Sequence, residues 1–169
     1  MIRIWSHAPA LIALDATIVV RSGGSETEYD AEDFFIGPST DITRMNVLQP
    51  GDLVTAVRIP ATWADSAFYF EKASDRQSWD FPLVNVAAAV KASGATIQDI
   101  RLAANAVAPY PMRLSRVENQ LRGQSVNEDV ALAAGETAIQ GARPLRHNAY
   151  KLPLLRNLVM RAIRDAGVQ

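Results

Sequence analysis

The chain has 169 residues, 49% hydrophobic and 21% charged, the balance of an ordinary soluble globular protein with one domain or one and a fraction. Seventeen Lys and Arg against eighteen Asp and Glu leave a net charge of −1, which argues against a chain that binds nucleic acid through overall charge. Cys is absent and the only imidazoles are His7 and His147, which excludes disulfides, thiolate nucleophiles, thiolate-held zinc, iron–sulfur clusters ligated by this chain and a His-rich metal site.

The chain divides into three zones. In the first, Ser6 is positioned to cap a short helix through Pro9 to Leu14. Ala16–Arg21 is rich in β-branched residues and reads as a strand, Ser22-Gly23-Gly24 as a turn, and Ser25–Asp30 as the returning strand of a hairpin. Ala31–Ile36 reads as a helical turn and 37–51 as a loop. Asp52–Pro60 alternates Leu53, Thr55, Val57 and Ile59 on one face, a strand closed by Pro60.

In the second zone, Ala67–Lys72, Leu83–Lys91 and Thr96–Val107 read as strands, with a polar loop at 74–80 and a Gly-containing turn at Ser93-Gly94. The third zone is helical. Pro109-Tyr110-Pro111 stops the last strand and suits a first helical turn, while Leu114, Val117 and Leu121 share a helix face ended by Gly123. Ser125 with Glu128 forms a capping box for a helix toward Ile139, and Pro153 opens a last helix. Leu152, Leu155, Val159, Ala162 and Ala166 line one of its faces, and Arg156, Arg161 and Arg164 the opposite one. The class is α+β: short strands first, then a three-stranded antiparallel sheet packed on three helices. Met1–Val20 lacks the long apolar run and cleavage site of a signal peptide, and no apolar run approaches the ~18 residues of a spanning helix.

The motifs of nucleotide P-loops, dinucleotide folds, serine hydrolases and zinc peptidases are absent. The richest local set is Lys72, Asp75, Arg76, Ser78, Trp79 and Asp80: two cations, two acids besides a hydroxyl, and an aromatic ring. Such a set suits a planar polar ligand, with the ammonium on a ring carbonyl and the indole over a face. The same composition also describes a solvated hairpin loop. His147, Asn148, Tyr150 and Lys151 form a second cluster with no carboxylate or nucleophile nearby in sequence. The basic run Arg143, Arg146, Lys151, Arg156, Arg161, Arg164 reads either as a docking face for an acidic partner or as a solvated helix face.

Several segments resemble, in order, the C-terminal half of the FAD-binding subunit of molybdenum hydroxylases, the group of xanthine dehydrogenase, carbon monoxide dehydrogenase and aldehyde oxidoreductase. They are APALIALDATIVV (8–20), AEDFFIGPS (31–39), LQPGDLVTAVRIP (48–60), FEKASDRQSWDFPLVNVAAAV (70–90), LAANAVAP (102–109) and GARPLRHNAYKLPLLRNLVMRAI (141–163). The resemblance covers nearly the whole chain. It implies that residues 1–63 are the tail of an FAD-binding subdomain and 66–169 the family's small C-terminal domain.

It further implies that Lys72 reaches the flavin, that Arg76, Trp79 and Asp80 lie near its ring, and that Asp52 and Val54 line the pocket. Molybdopterin and iron–sulfur clusters would sit on partners, a large and a small subunit, with no nucleic acid and no membrane involved. The compartment implied is the cytoplasm, or the periplasm for a complex carried there by a partner's signal. Two departures stand out. The family's Gly-rich phosphate segments belong to a part expected before residue 1, and the carboxylate of the family's Ser-Asp pair ahead of the A-P-A-L helix falls here on Ser6, or on His7 with a gap, with no Asp present. The expectation is a truncated subunit that alone binds FAD weakly or not at all. The alternative is a split fragment acting only as an interaction module without flavin.

Overall fold

The computed structural model describes residues 6–76 and 78–165. The first zone builds a three-stranded antiparallel sheet. Its β-branched centre, β1 (Thr17–Ser22), pairs on one side with β2 (Ser25–Asp30) and on the other with β3 (Leu53–Arg58). The β1–β2 register runs from Ser22 opposite Ser25 to Thr17 opposite Asp30, and Gly23 takes φ 58° at the tip, the conformation a tight hairpin demands. Two short helices, α1 (Ala8–Ala13) and α2 (Ala31–Phe34), close its inner face around Ile12, Ile18, Val20 and Phe34. The Phe34 and Phe35 rings meet edge to face at 5.2 Å.

The second zone forms an antiparallel sheet in chain order: β4 (Ala67–Ala73), β5 (Val84–Ser93), β6 (Thr96–Asn105) and β7 (Met112–Arg113). Alternation sends Val84, Val86, Ala88 and Val90 of β5 to one face, where Ile100, Leu102 and Ala104 of β6 join them. Helices α3 (Ser115–Leu121), α4 (Glu128–Ala138) and α5 (Lys151–Asp165) cover that face and complete the larger core. The opposite face of β5 and β6 carries Ala87, Ala89 and Ala103, all fully buried. Their small side chains let α1 lie directly on the sheet. So α1 is sandwiched between the two sheets. Among the described residues no helix is long and apolar enough to cross a membrane.

The α+β class holds, with four corrections of detail. The sheet gains a fourth strand, β7, where the two prolines suggested a helical turn. Met112 and Arg113 pair with Ala104 and Ala103 before α3 begins at Ser115. The cap of α4 is Asn127, whose side chain accepts the Val130 N–H at 2.9 Å, while Ser125 is held two residues earlier in an antiparallel bridge with Thr96. The cap position of α1 is His7, with no side-chain bond. Finally, a bulge at Thr55 breaks the alternation of β3: Leu53 lies opposite Arg21 and Val57 opposite Ile18, so the two are on opposite faces, and with Ile59 beyond the strand end all three are exposed. Alternation read along one segment cannot show a bulge, which only its pairing with β1 reveals.

Candidate functional site

The same alternation that builds the core selects the outward row of β4. Tyr69 and Ala73 pack toward the helices, and Glu71 pairs there with Arg161 of α5. Phe68, Phe70 and Lys72 therefore project from the other face. On that face α1 shields β5 and β6, while Phe68 and Phe70 stay 44% and 41% exposed. The result is an uncovered aromatic strip ending in an ammonium group.

Beyond Lys72 the chain makes the loop 74–82. Its base is closed by the Leu83 N–H on the Ala73 carbonyl at 2.8 Å. Inside it, the Asp80 carboxylate accepts the N–H of Arg76 at 2.9 Å and that of Phe81 at 2.9 Å. Arg76 Nη2 donates to the Trp79 carbonyl at 2.9 Å, and Lys72 Nζ donates to the Asp80 carbonyl at 3.1 Å. The bond from the Arg76 N–H holds the Asp80 carboxyl below the usual aspartate range, aided by Phe81 and by the Arg76 charge. This knot holds Trp79 at φ 51°, in the left-handed region, with its indole 96% exposed. An exposed aromatic on a tethered loop beside a lysine is an arrangement for meeting a flat ligand.

The loop thus brings Lys72, Arg76, Trp79 and Asp80 together. Asp52 and Val54 stand apart, on the other sheet. Asp52 accepts the Gln49 N–H at 2.8 Å, which with Ser22 keeps its carboxyl ionised to lower pH than usual. The Val54 side chain packs, half-buried, against the smaller core. Among the described residues no hydrogen bond links either to the loop.

Two contributors, Asn85 and Glu118, escaped sequence reasoning, and a third, Lys151, was read only as part of the second cluster and the basic run. Asn85 is opposite Lys72 in the β4–β5 register and fully buried. Its Nδ2 donates to the Ser6 carbonyl at 2.7 Å, yet its Oδ1 finds no partner among the described residues. The signal was an Asn inside an otherwise Val and Ala strand, where a polar group needs a reason. Lys151 Nζ donates to the Leu83 carbonyl at 2.8 Å and the Ala106 carbonyl at 2.6 Å, fixing the loop base from α5. Glu118, also fully buried, accepts the Leu102 N–H at 2.9 Å and two bonds from Arg113. His147 is exposed and has no polar partner among the described residues, so the second cluster contributes structure through Asn148 and Lys151 rather than a catalytic pair.

The donor set fits half of a flavin. An isoalloxazine ring needs apolar surface for its fused rings and donors for its carbonyls, which the Phe68–Phe70 strip, the Trp79 ring and the Lys72 ammonium supply. The pyrophosphate side does not fit. Gly23 and Gly24 lie at an open hairpin tip, and the glycines in close contact, Gly37 and Gly135, are packed against Tyr110 and against α5. No glycine cradle for phosphate stands among the described residues.

Comparison with known proteins decides the lineage. Residues 68–166 match the CO dehydrogenase flavoprotein C-terminal domain, more than half of the chain. The chain belongs to that family. Residues 4–62 match the FAD binding domain in molybdopterin dehydrogenase. The chain is 32% identical over 161 residues to the glyceraldehyde dehydrogenase medium chain of Sulfolobus acidocaldarius, covering 93% of this chain and 55% of the relative. It is 29% identical over 164 residues to the carbon monoxide dehydrogenase medium chain of Hydrogenophaga pseudoflava, covering 95% and 55%. The solved carbon monoxide dehydrogenase of H. pseudoflava superposes with a TM-score of 0.84 at 26% identity, over 96% of this chain and 56% of that one. Quinoline 2-oxidoreductase from Pseudomonas putida 86, at 24% identity and a TM-score of 0.81, shares the fold. This member of the CO dehydrogenase flavoprotein family spans about half the length of the curated relatives it matches. The resemblance read from the sequence motifs therefore holds.

Proposed function

We propose that this chain forms the ring-side wall of the flavin site in a molybdenum hydroxylase. In that assembly bound FAD would supply electron transfer between the iron–sulfur clusters of a small subunit, fed by a molybdopterin-bearing large subunit, and an acceptor. The observation that carries this reading is the uncovered Phe68–Phe70 strip ending in Lys72, followed by a tied loop that exposes Trp79. A bare interaction module has no need of an ammonium and an indole presented on a tethered loop.

Each residue has a part in this reading. Lys72 donates a charge-assisted hydrogen bond to the ring and favours negative charge on its reduced form. Asp80 and Arg76 hold the loop in shape, and Trp79 lies over the ring. The segment from Asp52 to Val54 offers its backbone and the edge of β3 to the pocket. The phosphate side is assigned to residues outside those described here.

Flavin titration and redox potentiometry test the proposal. The chain alone is expected to bind FAD with a Kd weaker than about a micromolar; tighter binding would overturn the division into ring side and phosphate side. In the assembled flavoprotein, Lys72→Ala is expected to lower the flavin reduction potential. An unchanged potential at normal flavin occupancy would remove Lys72 from the site.

A further inference from the structure

The basic run at the end of the chain is mostly spoken for. Arg156, Arg161 and Arg164 pair with Glu136, Glu71 and Glu128, so the exposed side of α5 is internally neutralised. This corrects the docking-face alternative for that helix. Among the described residues, every Lys and every other Arg is likewise engaged by a carboxylate, amide, carbonyl or ring. Arg143 and Arg146 are the exceptions.

These two lie in the connection between α4 and α5, exposed throughout 141–147. The connection is ordered: Gly141 turns it at φ 79°, and Asn148 Oδ1 accepts the Leu145 N–H at 2.6 Å. Between the two arginines Leu145 stands 76% exposed. It forms one wall of a groove of about 460 Å³, lined also by Ile36, Pro38, Ile42, Met45 and Val107. Ile42 on the far rim is 87% exposed. The one acid lining the groove, Asp41, is already held by Thr43 and Arg44. An apolar groove whose wall includes Leu145, with the unpaired Arg143 two residues before it and Arg146 directly after it in the chain, is complementary to an acidic segment carrying an apolar side chain.

We propose that this face docks an acidic segment of a companion subunit, which seats an apolar residue against Leu145 and Ile42 and places carboxylates on Arg143 and Arg146. The proposal rests on the reading of the chain as part of a molybdenum hydroxylase. Nucleic acid is disfavoured because non-specific binding draws on ~6–10 phosphate contacts and only two cations are free here. An anionic membrane gains about 1 kcal/mol per basic residue, too little from two, and a concave groove presents little apolar surface to a bilayer.

The test is assembly of the chain with the iron–sulfur and molybdopterin-binding subunits of its own complex, followed by native mass spectrometry and by affinity measured at low and high salt. The double variant Arg143→Glu, Arg146→Glu is expected to weaken one of the two contacts at least about tenfold and to flatten its salt dependence. Leu145→Asp should weaken the same contact, whereas Arg21→Glu on the distant hairpin should leave it unchanged. All these positions are exposed, and circular dichroism confirms that each variant is folded. Assembly of wild type with both subunits, and undiminished assembly of the variants, would overturn this inference alone. Failure of folded wild type to join either subunit would overturn the subunit reading and this inference with it. Loss of binding to phosphatidylserine vesicles in the variants, with subunit assembly intact, would also overturn it.

Discussion

The ammonium of Lys151 lies 2.6 Å from the carbonyl oxygen of Ala106, just past the end of β6, and within reach of Leu83 at the base of the 74–82 loop. One cation in the first turn of α5 thus ties a helix, a strand end and the candidate flavin loop together. Ala106 itself sits at φ 65°, so the chain bends sharply there to present its carbonyl.

Lys151→Met should leave both carbonyls without that donor. The cost of unsatisfied, partly buried acceptors is about 1–3 kcal/mol. Urea melts should show it, and hydrogen exchange should rise in 74–83 more than in β5. Burial pushes the Lys151 ammonium below the usual lysine range. The folded state therefore holds this proton less tightly than the unfolded chain, and stability from this group should grow as pH rises through the window ending near about 10.4. The Met variant should lack that alkaline gain.

Glu118→Ala should be among the most damaging single changes. It strands Arg113 and the Leu102 N–H, and Arg113 also bridges to Glu32 of α2 at 3.3 Å. Removing one partner from a buried charge pair costs about 3–5 kcal/mol. A loss of unfolding free energy in urea melts of less than a quarter of that would show the pair to be dispensable.

Gly135→Ala pits two effects against each other. Alanine gains ~1 kcal/mol of helix propensity over glycine. A Cβ here would come 2.8 Å from the Arg156 carbonyl oxygen and 2.8 Å from Met160 Cγ, where α4 meets α5. Met160 can swing away but the backbone oxygen cannot, and overpacking costs about 1–3 kcal/mol. The variant should melt lower than wild type, and Met160→Ala should recover only part of the loss.

The loop knot should respond to acid. The lowered Asp80 value means that its bonds stabilise the loop above the ordinary aspartate range, near pH ~3.9, and fade as pH falls through the lowered value. The amide resonances of Arg76 and Phe81 should titrate together below pH ~3.9. In Asp80→Ala that titration should vanish and Trp79 should leave its left-handed conformation.

Much of this architecture was legible because period-2 and helical patterns state which residues face one way. Val84, Val86, Ala88 and Val90, or Leu155, Val159 and Ala162, went inward as their spacing required. The residues around Lys72 were legible as a polar cluster by their types, and the bond from the Arg76 N–H to Asp80 ties them into one loop. What patterns could not show were partners distant in sequence. Glu118 finds Leu102 across 16 residues, and Lys151 finds Leu83 across 68. Nor could they show the bulge in β3 that puts Leu53 and Val57 on opposite faces, since that depends on its pairing with β1. The two-residue strand β7 was hidden because pairing with β6, not its own composition, creates it.

The placement of α1 bears on how this molecule can be dissected. By sequence the helix falls in the stretch matching the FAD binding domain, yet besides Ile18 and Phe34 of its own zone it packs on Ala103 and its neighbours on the other sheet. A gene cut in the connector after Pro60 would follow the chain's own punctuation and still strip the lid from a row of buried alanines. Fusions, splits and chimaeras of such subunits are better designed around residues 8–13 travelling with 67–165, because the unit that melts together is defined by that shared layer rather than by the order of residues along the backbone.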